Sequence, residues 1–357
     1  MARSRLLKGT PAEHGYSFPA EWERQAATWF SWPRPEGISF PGRWHTVPGQ
    51  LATIVRAIAE RQPVHINVPN ANWERIVREQ LRAFECSTRR VRFFHIPTNE
   101  CWCRDHGPAF VVKQGARGAR RMAVVDWGYN AWGGKYPPFD ADDAVPTHVA
   151  EALELPLFCT DVVMEGGAVD FNGAGCVLTT ESVLLNKNRN PGLSRRAVEK
   201  LLCEWYGQER VLWLGEGIEG DDTDGHVDDL ARFLDERTIV TAVEDDPRDP
   251  NHRVLHENLR RLHLLRDAAG KPFDIVTLPM PKHIEREGQR LPATYLNFLF
   301  VNGALLVPTF RDRRTERVAL TTLRRALPRH RVIGIDCMEL IWGLGAIHCL
   351  SQQQPAV

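Results

Sequence analysis

Cys349 closes the run Gly343-Leu344-Gly345-Ala346-Ile347-His348-Cys349 near the C-terminus. A thiol is the most nucleophilic side chain near neutral pH once it can ionise. The glycines give the backbone freedom to present it in a tight pocket. A buried structural cysteine fits the same spacing. The richest polar run is Gly220-Asp221-Asp222-Thr223-Asp224-Gly225-His226-Val227-Asp228-Asp229. His226 can shuttle protons there. If residues 225–228 enter a strand, His226 and Asp228 share one face, because strand side chains alternate. A calcium loop fails: Gly220 stands where its first acidic ligand belongs, and Ala231 where its last glutamate belongs. As a zinc pair, His226 and Asp228 lack a third ligand. In the segment Asn99–Pro108, Trp102 and Asp105 share one loop. An aromatic face beside a carboxylate suits a flat cation, since guanidinium stacks on rings and donates two parallel hydrogen bonds to one carboxylate. A surface Arg104–Asp105 pair beside a core tryptophan is the alternative. Glu165-Gly166-Gly167 offers a further carboxylate on a flexible turn.

Regular elements must hold these loops. A helix, a short β-branched strand and a polar loop recur along the chain. Helix Asn72–Phe84 precedes strand Val91–His95 and the Trp102 loop. Helix Thr147–Leu155 precedes Asp161–Met164 and Glu165. Helix Ser194–Tyr206, with Ala197, Leu201 and Trp205 at helical spacing, precedes Val211–Leu214 and the His226 loop. Pro250–Arg266 precedes Asp274–Leu278. Thr315–Leu327 precedes Val332–Ile335 and the Cys349 loop. Units roughly fifty to seventy residues apart predict an internally repeated α/β architecture. In such folds the loops after the strands gather at one end.

Composition sets the outer limits. The chain has 357 residues, 45 Lys+Arg against 45 Asp+Glu, and a formal net charge of zero. That balance argues against nucleic acid as main partner, which wants a net basic face. The arginine runs 311–317 and 324–331 read as a solvated helix face and its exit. No apolar run reaches the ~18 residues of a membrane span, and no apolar stretch follows the basic N-terminus as in a secretory leader. The eight cysteines form no CxxC pair, and Cys101-x-Cys103 is too close for a zinc knuckle. Free thiols in a reducing compartment, the cytoplasm, are expected. Walker, dinucleotide-binding, GxSxG and HExxH patterns are absent.

In order along the chain come Phe18-Pro19-Ala20-Glu21-Trp22-Glu23 with Thr28-Trp29-Phe30-Ser31-Trp32-Pro33, Trp102-x-Arg104-Asp105-x-Gly107-Pro108, and Tyr129-Asn130-Ala131-Trp132-Gly133-Gly134-Lys135-Tyr136. Glu165-Gly166-Gly167, Arg189-Asn190-Pro191, Asp222-x-Asp224-Gly225-His226-x-Asp228, Tyr295-x-Asn297-Phe298 and Ile347-His348-Cys349 follow. This series resembles the agmatine deiminases and bacterial peptidylarginine deiminases, from about Phe18 to Pro355. The resemblance implies a pentein fold, a five-bladed pseudo-symmetric α/β propeller of ββαβ units. It implies one catalytic domain over residues 1–357, in a homodimer. By the same resemblance Cys349 is the nucleophile, His226 the proton shuttle, Asp105 and Asp228 the grip on the guanidinium, and Glu165 the group that orients His226. Trp102, Trp132, Tyr129 and Gly345 would line the substrate site. No metal or organic cofactor is implied.

Leu344 and Ala346 replace residues that are usually Gly and Asn in that family, and Glu100 stands where Asp is common. These departures bear on rate and substrate shape more than on the chemistry. Agmatine is the favoured substrate. Trp127 and Tyr129 stand where the peptidylarginine branch carries carboxylate-binding arginines, the segment 129–136 resembles the agmatine branch, and the secretory leader of that other branch is lacking. The alternatives are another guanidine (free or peptidyl arginine, or a natural-product intermediate), an amidinotransferase, and an inactive guanidine-binding homologue.

Overall fold

The computed structural model describes residues 4–115 and 118–357. The five helices read from the sequence form at Ala71–Ala83, Val145–Ala152, Arg195–Tyr206, Pro250–Leu264 and Arg313–Ala326. Their starts have local causes. The side chains of Asn70, Ser194, Asp249 and Asp312 each accept a backbone N–H of the first turn, which satisfies donors that have no partner within the helix. A sixth helix, Val47–Ala59, packs through Leu51, Val55 and Ile58. On Arg313–Ala326 only Ala319 and Leu323 are buried, and its arginines lie on the solvated face.

In four of the sheets the strand after the helix is the parallel edge, and the other strands come before that helix. Ala109–Gln114 pairs antiparallel with Arg120–Gly128, which pairs parallel with Leu157–Val163. The same order recurs in Asp170–Phe171, Cys176–Thr180 and Arg210–Leu214. It recurs again in Ala231–Phe233, Thr238–Val243 and Asp274–Pro279, and in Leu299–Val301, Ala304–Thr309 and Arg331–Asp336. In the remaining large sheet, Gln25–Ser31 lies between the C-terminal strand Ser351–Pro355 and Val64–Val68, with Val91–His95 outside. The first sheet therefore needs the last strand. These sheets are separate hydrogen-bonded units in a mixed α/β fold. A small hairpin, Glu285–Arg286 with Gln289–Arg290, stands apart.

Several strands lie outside the helix–strand pattern read from the sequence. Ala109–Val112 and Ala304–Val307 are buried along their whole length, so they lack the period-two alternation that marks a half-exposed strand. Ser351–Pro355 reads as a polar tail yet is buried throughout. Its glutamines are spent on partners: Gln354 Oε1 accepts from Trp29 Nε1 at 2.9 Å, and Gln353 Oε1 from Arg104 Nη1 at 2.7 Å. One expectation is corrected. Residues 225–228 do not enter a strand; Val227–Asp229 is a 3₁₀ turn, so His226 and Asp228 are aimed separately.

Candidate active site

Four loops meet around Cys349. The short helical turn Cys103–His106 brings Asp105, and the turn at Gly166–Ala168 brings Glu165. The segment ending at Val227–Asp229 brings His226 and Asp228, and the stretch after Ile341–Gly343 brings Cys349. The backbone joins two of them directly, since Arg104 N–H donates to the Cys349 carbonyl at 3.1 Å. Close approach explains two glycines. A β-carbon on Gly167 would lie 2.5 Å from His226 Nδ1 and 2.9 Å from Asp105 Oδ1, and one on Gly345 would run into the Trp102 ring.

A cleft of about 380 Å³ opens onto this point, with Cys349, Asp105, Trp102, Trp132, Leu344 and Asp222 among its walls. Gly345 lines it too. Trp132 sits at φ +56°, ψ +44°, a left-handed conformation costing of order 1–3 kcal/mol for a non-glycine residue. Its Nε1 donates to Asp105 Oδ2 at 3.0 Å, which fixes both the indole wall and the carboxylate. Trp102 Nε1 donates to Ser39 Oγ at 2.9 Å. Tyr129 is not on the cleft. It packs edge-on behind Trp132, with ring centroids 5.8 Å apart, and lines a cavity of about 30 Å³ on the far side of Asp105.

His226, Asp228 and Glu165 do not line the cleft; they are fully buried behind Asp105 and Cys349. His226 lies 3.7 Å from Asp105 Oδ1 through Nδ1 and 3.5 Å from Glu165 Oε2 through Nε2. Burial pushes the imidazole pKa down, but Asp105, Glu165 and Asp228 outweigh it and hold His226 up at about 10. Burial, with Asp228 and Glu165 nearby, pushes Asp105 up to about 6 against the pull of His226. Asp228 is buried as well, yet its hydrogen bond to His348 and the charges of His348 and His226 bring it below the usual carboxylate range. Glu165 is lowered despite burial by His226 and by Arg189, whose Nε donates to Glu165 Oε1 at 2.8 Å. Cys349 is raised well above an ordinary thiol by burial and by Asp228, Asp229 and Asp105. Unliganded, the site holds a thiol pushed away from ionisation beside a histidine held in its acid form, and burial with Asp228 and Asp221 pushes Asp229 well up too. The site is short of positive charge.

Arg104 and Asp105 do not form the surface pair considered above, because both are buried and face different partners. Arg104 reaches Gln353 and, at 3.7 Å, Glu21. Glu21 is the hub of a buried network. It takes Arg232 Nη2 at 2.8 Å and His348 Nε2 at 2.7 Å, while His348 Nδ1 meets Asp228 Oδ2 at 2.7 Å. Burial pushes the Glu21 carboxyl up, but Arg232, His348 and Arg104 take it far below its ordinary range. Sequence reasoning gave Glu21, Arg189, Arg232, Asn297 and His348 no role. Their partners lie up to 327 residues away, and the one signal was that four of them stand inside the segments carrying the family resemblance.

Asp228, Asp229 and Cys349 hold ligand atoms within 4.8 Å of one another, a spacing that could hold a metal ion. The amide nitrogen of Asn297 already serves that position. It lies 2.9 Å from Cys349 Sγ, 3.0 Å from Asp229 Oδ1 and 3.3 Å from Asp228 Oδ2. The donor set therefore fits an amide, not a resident cation.

The sequence profile of the Porphyromonas-type peptidyl-arginine deiminases matches residues 17–355. The chain is 36% identical over 376 residues to an agmatine deiminase of Pseudomonas syringae pv. tomato, covering 98% of each. Its fold is similar to a solved agmatine deiminase of Enterococcus faecalis, with TM-score 0.91, 31% identity and 99% of each chain covered. It is also similar to a C. jejuni agmatine deiminase with substrate bound, with TM-score 0.85, 32% identity and 95% and 96% covered. An amidinotransferase from Microseira wollei, at 12% identity and TM-score 0.50 over 95% and 96% of the chains, shares the pentein-type fold alone. The motif order, the loop geometry and this full-length match lead to one conclusion: the chain belongs to the Porphyromonas-type peptidyl-arginine deiminase family.

Proposed function

We propose that this chain hydrolyses the imino group of agmatine, giving N-carbamoylputrescine and ammonia. The observation that carries it is the set of buried groups without a hydrogen-bond partner just behind the cleft: Asp228 Oδ1, Glu165 Oε2 and both His226 ring nitrogens, close to the thiol. Buried polar groups without partners are rare; a planar cation with several N–H donors supplies what the two carboxylate oxygens lack, while the His226 N–H groups, from which a guanidinium cannot accept, stay free to give a proton to the leaving nitrogen. The agmatine deiminases of similar sequence and fold support the substrate.

In this scheme Asp105 and Asp228 grip the guanidinium. Its charge offsets the carboxylates that raise the Cys349 thiol, so substrate binding itself favours the thiolate, and the thiol proton passes to solvent before attack, since His226 already carries its own. The thiolate attacks the guanidine carbon, and His226, already protonated, gives its proton to the leaving nitrogen, which departs as ammonia. A covalent thiouronium stays on Cys349. Neutral His226 then takes a proton from the attacking water. The C–S bond breaks, the urea leaves with the thiolate regenerated, and the second water-derived proton leaves as ammonium. Glu165 orients His226 and keeps it charged. Trp102 and Trp132 flank the substrate with Gly345 leaving room, and Tyr129 supports Trp132 from behind.

The finer architecture is part of the same reading. We take residues 1–357 as one catalytic domain and the ββαβ sheets as five blades of a propeller with the site at its axis. The Gln25–Ser31 strand, paired with the C-terminal Ser351–Pro355 strand, supports this. The family resemblance supports a homodimer, which light scattering tests. No helix among the described residues is long and apolar enough to cross a membrane. The eight free thiols suit the reducing cytoplasm, and the product, one hydrolysis from putrescine, suits polyamine biosynthesis. Purified protein is incubated with agmatine and a chelator. Chelator-resistant formation of N-carbamoylputrescine is expected; no ureido product from agmatine would sink the substrate assignment.

A further inference from the structure

Asn297 is buried at 1% exposure, and the mechanism above gives it no part. Its Oδ1 accepts the backbone N–H groups of His348 at 3.0 Å and Cys349 at 3.2 Å. Two N–H donors require an oxygen, so these contacts decide which way the amide faces. Its NH2 must then point to Cys349 Sγ, Asp229 Oδ1 and Asp228 Oδ2, at 2.9, 3.0 and 3.3 Å. Two hydrogens face three acceptors. A thiol sulfur accepts weakly, so in the resting site those hydrogens go to the carboxylates. A thiolate accepts strongly, and a bond to an ionised acceptor is roughly twice as strong as a neutral one. The carboxylates around the sulfur oppose its ionisation, with Asp228 Oδ2 only 3.7 Å away. The amide is locked to the same backbone that carries the cysteine, so it needs no reorganisation when the charge develops.

We propose that Asn297 is a further catalytic residue, the hydrogen-bond donor that stabilises the Cys349 thiolate as it attacks and again as it leaves. This rests on Cys349 being the nucleophile. Asp228 and Asp229 act as stores for the amide hydrogens: when the guanidinium takes up the charge of Asp228, the Asn297 N–H is released toward the sulfur. Binding of the cation and activation of the thiol are thereby linked through one side chain.

The test follows iodoacetamide labelling of Cys349 in the full chain by peptide-resolved mass spectrometry, without substrate and at mildly alkaline pH. Asn297→Ala is expected to slow labelling by roughly tenfold or more, the loss of a hydrogen bond to a charged group. In steady state kcat falls by a similar factor while KM for agmatine stays within about threefold. Removing the side chain also opens space around the sulfur, so an effect of access alone would speed labelling. Unchanged or faster labelling overturns the proposal. If Asn297→Ala does not fold, Asn297→Leu, which keeps the volume and removes both N–H groups, carries the same expectation. Labelling needs no turnover, so a wild-type chain inactive on agmatine would sink the substrate assignment and leave this result standing.

Discussion

Two buried histidines each sit between two carboxylates, and they are held very differently. His348 meets Glu21 and Asp228 at 2.7 Å on both nitrogens. His226 stands 3.7 and 3.5 Å from Asp105 and Glu165, and neither of its nitrogens has a hydrogen-bond partner. The first geometry spends both nitrogens on fixed partners, which makes His348 a clamp: it aims Asp228 and ties it through Glu21 to Arg232. The second leaves a charged imidazole whose N–H groups are uncommitted. A group that must give up and retrieve a proton needs that freedom. Equal burial and like neighbours thus leave one histidine locked on two partners and one with both nitrogens unpartnered, and distance separates them; we propose the second as the chemical one.

The largest expected effect breaks the chemical member. His226→Gln should lower kcat by ~10²–10⁴, the usual worth of a positioned acid–base group, with a smaller loss of thermal stability than His348→Gln. Steady-state rates and a melting curve on the same preparation check this; a His226→Gln enzyme of near-normal kcat would end the assignment. His348→Gln should cost about 3–5 kcal/mol in urea unfolding, because it leaves buried Glu21 and Asp228 without their shared partner. If it unfolds like wild type, the clamp is not a clamp.

The pH profile sharpens the contrast. His226 is held at about 10, above its ordinary 6.5, so its acid form persists through neutral pH and is lost as pH rises through about 10. Glu165→Gln removes one of the charges holding it there, so the alkaline limb of kcat should move to lower pH. An unmoved limb would mean another group sets it. The same shift bears on stability. The raised pKa stabilises the fold fully below about pH 6.5, and that contribution fades as pH rises through about 10. Unfolding midpoints across this range should therefore fall more steeply in wild type than in His226→Gln.

The smallest effect lies on the cleft wall. Leu344 sits at φ +70°, ψ +17°, which costs a branched residue about 1–2 kcal/mol. Leu344→Gly should relieve that strain and leave stability equal or slightly higher. It should raise KM for agmatine roughly fivefold, as expected when one or two methylenes lose an apolar neighbour at ~0.8 kcal/mol each. A lower KM would show that Leu344 obstructs the tail instead of covering it.

His226 stood out in the sequence as a candidate, and the clamp did not. His226 lies in a run dense with aspartates, and Asp105 and Glu165 sit in loops after strands. The ββαβ repeat was half visible: helices showed through their spacing, while strands buried on both faces, such as Ala304–Val307, left no alternation to read. His348 stands beside Cys349 in sequence, but its meaning comes from Glu21, which only the pairing of the first sheet with the last strand brings near. Tyr129 failed as a cleft residue for a related reason. Being next to Trp132 in sequence says nothing of which ring faces the ligand, and the left-handed backbone at Ala131 and Trp132 turns the indole inward and leaves the phenol behind.

The central claim is a covalent intermediate on Cys349, made by loss of ammonia before water enters. The most direct measurement is an acid quench during turnover of agmatine, followed by digestion and mass analysis of the Cys349 peptide. The account predicts that this peptide gains the mass of agmatine less one ammonia, and that the gain vanishes once substrate is consumed. Steady turnover with an unmodified Cys349 peptide, or with the adduct on another of the eight cysteines, would contradict it.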